Sequence, residues 1–191
     1  MKKVILFFIS IFYISFTYGQ ITYNWQNSTE GWVSGGNCNL TAQPDAMAMR
    51  LFASNAVMRS GNLQSNLGIN GVDYNQVQVM IKNPTTGSAM ARLFLYPPGT
   101  NTAACYYAFQ VDTAMTGFST YTISLDSIPT GGSSTAYTGP IARFGLRAPW
   151  GGVNFDTIFW KQMIVSNTNQ IIDSANITFK VDMSEVSEPF I

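Results

Sequence analysis

The sequence predicts an all-β protein, a sandwich of two antiparallel sheets, and three observations carry that expectation. From residue 20 to about 167 no long stretch shows the 3.6-residue repeat of an amphipathic helix. Short alternating or apolar runs recur instead, each bounded by Gly, Pro, Asn, Ser and Thr clusters that turn a chain. Of the 191 residues, 46% are hydrophobic and 14% aromatic but only 10% charged, against roughly 25% in an ordinary soluble domain. The surface is therefore polar and mostly uncharged.

Strands are expected over residues 22–25, 46–53, 77–82, 91–96, 106–111, 120–125, 141–148 and 153–165. Side chains alternate across a strand, so each run also states which residues it buries. Val77, Val79 and Ile81 go inward, and Gln78, Met80 and Lys82 go outward. Leu93 and Leu95 are core, which leaves Arg92, Phe94 and Tyr96 together on the opposite face. Tyr107, Phe109 and Val111 face inward, away from Tyr106, Ala108 and Gln110. Tyr121, Ile123 and Leu125 do the same against Thr122, Ser124 and Asp126. In 142–147 the apolar residues share one face and Arg143 and Arg147 the other. Trp25, Trp32 and Trp160 are assigned to the core or its rim.

The chain divides into three segments. Residues 1–19 have the pattern of a signal peptide: Met1-Lys2-Lys3, then an apolar run from Val4 to Phe16, then small Gly19 before Gln20. The apolar run is short for a membrane span, and no second stretch of about 20 apolar residues follows, so export is expected. Residues 20–167 form the sandwich. Residues 168–191 read as a polar linker and the opening strand of an incomplete second domain, centred on Ile177-Thr178-Phe179-Lys180-Val181-Asp182-Met183. Cys38 and Cys105 are the two cysteines. An exported compartment permits their pairing, and two separate buried thiols are the alternative.

Composition excludes several functions. There is no histidine, which removes Ser-His and Cys-His nucleophile pairs, imidazole acid–base catalysis and histidine-ligated zinc. Ten basic residues balance ten acidic ones, and loss of Lys2 and Lys3 with the leader tips the balance slightly negative, so there is no nucleic-acid footprint. Glycoside hydrolysis needs two facing carboxylates. The candidates Glu30, Asp45, Asp73, Asp112, Asp126 and Asp156 are scattered, and Asp45, Asp73 and Asp126 sit in turn-like contexts where carboxylates bond local backbone. Catalysis by this segment is not expected.

The order of features resembles a family. Trp25 and Gly31-Trp32 open the chain, and Asn62-Leu63-Gln64-Ser65, Leu67-Gly68-Ile69-Asn70 and Tyr74 lead into Val77-Gln78-Val79-Met80-Ile81-Lys82-Asn83. Phe118-Ser119-Thr120-Tyr121-Thr122-Ile123-Ser124-Leu125 and Gly152-Val153-Asn154-Phe155-Asp156-Thr157-Ile158 follow. Over residues 22 to 165 this resembles the galactose-binding-like jelly rolls of carbohydrate-binding modules from secreted Bacteroidetes-type proteins. The tail resembles the first strand of an immunoglobulin-like starch-binding-type module. The resemblance implies a jelly roll, sugar binding on one sheet or at loop tips, and a structural calcium. Asp156 matches the closing-strand aspartate that commonly ligates the calcium. The usual early acidic residue is Gln26 here, with Glu30 nearby, and both offer oxygen ligands. A hydrogen-bonded strand-end carboxylate is the other reading of Asp156.

Sugar recognition uses flat aromatic faces against the C–H side of a pyranose and planar polar groups against its hydroxyls. The candidates are Trp150 in a Pro-Trp-Gly-Gly loop, Arg92, Phe94, Tyr96 and Tyr106 on one outward face, Arg143 and Arg147 on a neighbouring strand, and Gln78 on a third. Trp150 is either a ligand contact or a plug at the end of the sandwich. The arginines are a solvated face, a site for an anionic or hydroxyl-rich ligand, or cations stacked on Phe94 and Tyr106. The function expected is non-catalytic polysaccharide binding by a secreted or cell-surface protein, part of a longer multidomain chain; a structural or adhesion module without a sugar site is the rival.

Overall fold

A computed structural model describes residues 19–150 and 154–168. The leader, residues 151–153 and the tail strand expected near Ile177 lie outside the described residues.

Thirteen strands and no helix occur among the described residues: β1 (Ile21–Asn24), β2 (Val33–Gly36), β3 (Cys38–Ala42), β4 (Met47–Leu51), β5 (Val57–Arg59), β6 (Ile69–Asn70), β7 (Gln76–Lys82), β8 (Met90–Tyr96), β9 (Cys105–Gln110), β10 (Ser119–Ser124), β11 (Pro140–Ile141), β12 (Arg143–Arg147) and β13 (Thr157–Ser166). They form two large antiparallel sheets. Sheet I has the order β10-β7-β13-β4-β3, with β1 also on β13; sheet II has the order β2-β5-β12-β8-β9; β6 and β11 make a small separate ribbon. Each expected run overlaps an observed strand. The sequence analysis missed β2, β3, β5 and β6, which are short, polar or glycine-bearing.

Strand β13 organises sheet I. One edge pairs along its length with β7, and the other is shared by β1 and β4. A register shift between Trp160 and Gln162 interrupts the β7 pairing, so Trp160 and Met163, three apart, both point inward and are fully buried. Without such a bulge, odd spacing would send one of them to solvent.

The core is the space between the sheets. Met47, Met49, Leu51, Val77, Val79, Ile81, Ile158, Trp160 and Val165 come from sheet I, and Met58, Leu93, Leu95, Phe144 and Leu146 from sheet II, all without solvent exposure. The inward assignments of Val77, Val79, Ile81, Leu93, Leu95, Tyr107, Val111, Ile123 and Leu125 are observed, whereas Phe109 and Tyr121 are only half-buried. Trp25, Trp32 and Trp160 are buried. Trp25 and Trp32 meet edge to face at 5.1 Å, the arrangement favoured by the ring quadrupoles.

Cys38 and Cys105 are both buried and unpaired. Burial raises the Cys38 thiol above its ordinary range and pushes Cys105 up to about 11, so both remain protonated and unreactive at neutral pH.

Candidate functional site

The outer face of sheet II gathers six of the eight residues expected to contact a ligand. Residues directly opposite in a sheet project on the same side. Antiparallel pairing sets Arg92 against Arg147, Phe94 against Gly145 and Tyr96 against Arg143. The next strand adds Tyr106 against Phe94, and β5 adds Arg59 against Gly145. The result is a sheet face bearing three rings and four guanidinium groups.

Two glycines make room for the rings. A Cβ on Gly145 would lie 2.7 Å from Cε2 of Tyr96, and one on Gly131 would lie 2.6 Å from Cε1 of Tyr106. Each tyrosine therefore leans over neighbouring backbone that lacks a side chain at that point, Gly145 in β12 and Gly131 in an isolated bridge to Tyr106. Phe94 stands between them, tilted by 37° to Tyr96 and 44° to Tyr106 at centroid distances of 6.3 and 5.5 Å.

The two ends of the face differ. At one end Tyr96 has guanidinium groups on its ring, Arg59 at 5.0 Å and Arg143 at 5.2 Å. Arg143 is only 1% exposed; it donates to the Thr100 carbonyl and, at 3.3 Å from both Nη atoms, to Oδ1 of Asn101. Tyr96 and Arg143 therefore hold the loop between β8 and β9. This corrects the expectation that they face ligand: with Tyr96 4% exposed, its ring is covered by the protein's own cations. Burial, then the charge of Arg59, lowers the pKa of Arg143.

The other end is open. Ser54, Ser88, Met90, Arg92, Arg147, Ala148 and Trp150 line a hollow of ≈ 180 Å³. Arg147 donates from Nε and Nη2 to the Ser54 carbonyl at 2.9 and 2.6 Å. The guanidinium of Arg92 lies 4.7 Å from the centroid of Tyr106. Trp150 is half-buried, packed on the core while bordering the hollow. Its carbonyl accepts from Ser88 N at 3.1 Å.

Gln78 is separated from this group. It lies on β7 of sheet I, beside a different hollow bordered by Met80, Thr120, Gln162 and Ile164. Alternation correctly turned it outward, but sheet membership depends on non-local pairing, which alternation does not encode.

The residues named for calcium do not converge. Gln26 bridges to Gln43, beyond one end of β4, while the Asp156 carbonyl accepts from Leu51 N at the other end. That separation is about five residues, on the order of 16 Å of strand. Glu30 is exposed in the loop after Gln26. Among the described residues no group of three or more His, Cys, Asp or Glu could hold a metal. The donor set therefore does not fit one bound cation.

Other carboxylates have local structural partners. Asn70 Nδ2 donates to Asp73 at 2.8 Å, Asn75 Nδ2 to Asp126 at 3.0 Å and the Tyr121 hydroxyl to Asp112 at 3.0 Å. In the 70–73 turn it is Asn70, through Oδ1, that accepts the Val72 and Asp73 backbone N–H groups. The sequence analysis did not single out Arg59, Asn101, Ser54, Ser88 or Met90. Arg59 ends a three-residue strand too short to show alternation, and Asn101 reaches the face only through the β8–β9 loop.

No protein-family model and no curated protein matches the chain. Among solved structures, the apo form of the carbohydrate-binding module BiXyn10A CBM1 is similar at TM-score 0.51 and 7% identity, covering 78% of this chain and 97% of that one. The agarase AgWH50C matches at TM-score 0.53 and 9% identity, over 78% of this chain and 25% of the agarase. An arabinose-bound α-L-arabinofuranosidase, MgGH51, matches at TM-score 0.53 and 12% identity, over 74% of this chain and 25% of the enzyme. At these identities the likeness is one of fold. The architecture is a two-sheet jelly-roll β-sandwich, the fold used by carbohydrate-binding modules. The chain spans nearly all of one such module and a quarter of each enzyme.

Proposed function

We propose that this chain is a non-catalytic carbohydrate-binding module of a secreted or cell-surface protein, and that polysaccharide lies along the outer face of sheet II. One observation supports it above the others: Arg92, Phe94, Tyr106 and Arg147 share one face, with Phe94 and Tyr106 half-exposed, and Trp150 borders the hollow at its open end. Phe94 and Tyr106 supply the apolar platform for a pyranose, and Arg92, Arg147, Ser54 and Ser88 supply hydrogen bonds at its end. The likeness in fold to the module BiXyn10A CBM1 agrees with this reading. Tethering, not turnover, follows from the lack of histidine and the dispersal of the carboxylates. The leader-like N-terminus supports export.

Affinity electrophoresis of the full chain through gels containing a panel of polysaccharides tests this. Retardation by at least one polysaccharide is expected. Phe94→Ala and Trp150→Ala should each weaken it about tenfold, equivalent to about 1.4 kcal/mol. Unchanged mobility in every gel would favour the rival reading of a structural or adhesion module.

A further inference from the structure

The charge on the sheet II face identifies a ligand class. Arg92 and Arg147 occupy directly opposite positions on adjacent strands, where like charges destabilise a sheet. Among the described residues neither forms an ion pair with an acid: burial and the like charge of Arg92 lower the pKa of Arg147, and its hydrogen bonds go to a backbone carbonyl. Among the described residues Arg92 has a ring contact and no hydrogen bond. Arg59 and Arg143, by contrast, already serve Tyr96 and Asn101.

Charge is scarce in this chain, at 10% of residues, so an unneutralised pair bordering a hollow is not a consequence of a generally charged surface. A carboxylate or sulfate oxygen bound between the two guanidinium groups would remove their repulsion and gain charge-assisted hydrogen bonds. Trp150, on the same hollow, would meet the apolar side of the sugar that carries the anion. A neutral sugar would satisfy the hydrogen bonds but leave the repulsion in place.

Resting on the carbohydrate-binding reading above, we infer that the hollow between Arg92, Arg147 and Trp150 binds an acidic sugar residue, so that the preferred ligand is an anionic polysaccharide. The shared chemistry is a sugar-borne anion, and its two sources are a uronate and a sulfate ester.

The test is affinity electrophoresis and titration calorimetry of the full chain with polygalacturonate and its carboxyl-reduced polymer, and with a sulfated galactan and its desulfated polymer. Binding to one acidic polymer at least tenfold tighter than to its neutral counterpart is expected, and the pair that shows it identifies the source. Raising the salt should weaken the acidic interaction and leave any neutral one unchanged. Arg92→Gln should abolish the preference and Arg92→Lys should retain part of it. Because the Arg92 side chain makes no hydrogen bond among the described residues and stands opposite the like charge of Arg147, the melting temperature of Arg92→Gln should be no lower than that of the parent, which separates loss of the site from loss of the fold. Equal binding of charged and neutral polymers, or an acidic preference untouched by Arg92→Gln, would overturn the inference while leaving the carbohydrate-binding reading intact. Absence of binding to every polymer would overturn both.

Discussion

Gly145 occupies the centre of the sheet II face, and its missing side chain is what allows Tyr96 to lie flat there. An alanine would place its Cβ 2.7 Å from the Tyr96 ring and 3.4 Å from Cβ of Phe94. Tyr96 cannot swing away cheaply, because Arg59 and Arg143 lie against it. Overpacking of this kind costs about 1–3 kcal/mol. Urea denaturation of Gly145→Ala should show that loss, and the double variant Gly145→Ala/Tyr96→Ala should lose less than the sum of the single changes, since the clash is removed. None of this was legible residue by residue. In the sequence Gly145 interrupts an alternating run between Phe144 and Leu146, and only the register against Phe94 gives it a role. Tyr96 and Arg143 were placed on the correct face for the right reason, alternation, yet were misjudged as open because their coverage comes from Arg59 and the 97–104 loop.

At the level of elements, long strands were legible and short ones were not. β7, β8 and β9 each carry enough alternating residues to declare a period of two. β2 reads Val33-Ser34-Gly35-Gly36, which looks like a turn; it becomes a strand by pairing with β5, where Gly35 lets Val57 and Arg59 come within 3.0–3.1 Å of the position of a side chain. β5 itself is too short to show any period, so Arg59 went unnoticed. The β8–β9 connection makes a further prediction. It is secured by Arg143 through the Thr100 carbonyl and Asn101. Arg143→Met fills similar space without those hydrogen bonds, so amide hydrogen exchange in residues 99–104 should accelerate, and stability should fall by about 1–3 kcal/mol.

At the scale of the whole molecule, closing the core between two sheets shields two titratable groups that sequence alone treats as ordinary. Burial pushes the Cys105 thiol to about 11 and the Tyr107 hydroxyl to about 12, with the adjacent Cys105 charge a second cause for Tyr107. A raised pKa on an acid means the unfolded chain loses its proton first. Stability from these groups is therefore complete below pH 9 and falls as pH rises, from about 9 to about 11 for Cys105 and from about 10 to about 12 for Tyr107. The Cys105 contribution is about 2–3 kcal/mol, taking 1.36 kcal/mol per unit. Chemical denaturation at pH 8 and pH 11 should show the decline, with a shallower slope in Cys105→Ala. A thiol reagent should label neither cysteine in the native protein at pH 7.5 and both in denaturant. The sequence by itself determined that this chain is built of strands, which way most of their side chains point, and that Arg92, Phe94 and Tyr96 share a side, because alternation is a local property of the extended backbone. Only the tertiary structure decided that Arg147 stands opposite Arg92, that Gln78 belongs to the other sheet, and that Asp156 and Gln26 lie apart. Those relations are set by pairing between segments distant in the chain, and a period of two says which way a side chain points but not which strand lies beside it.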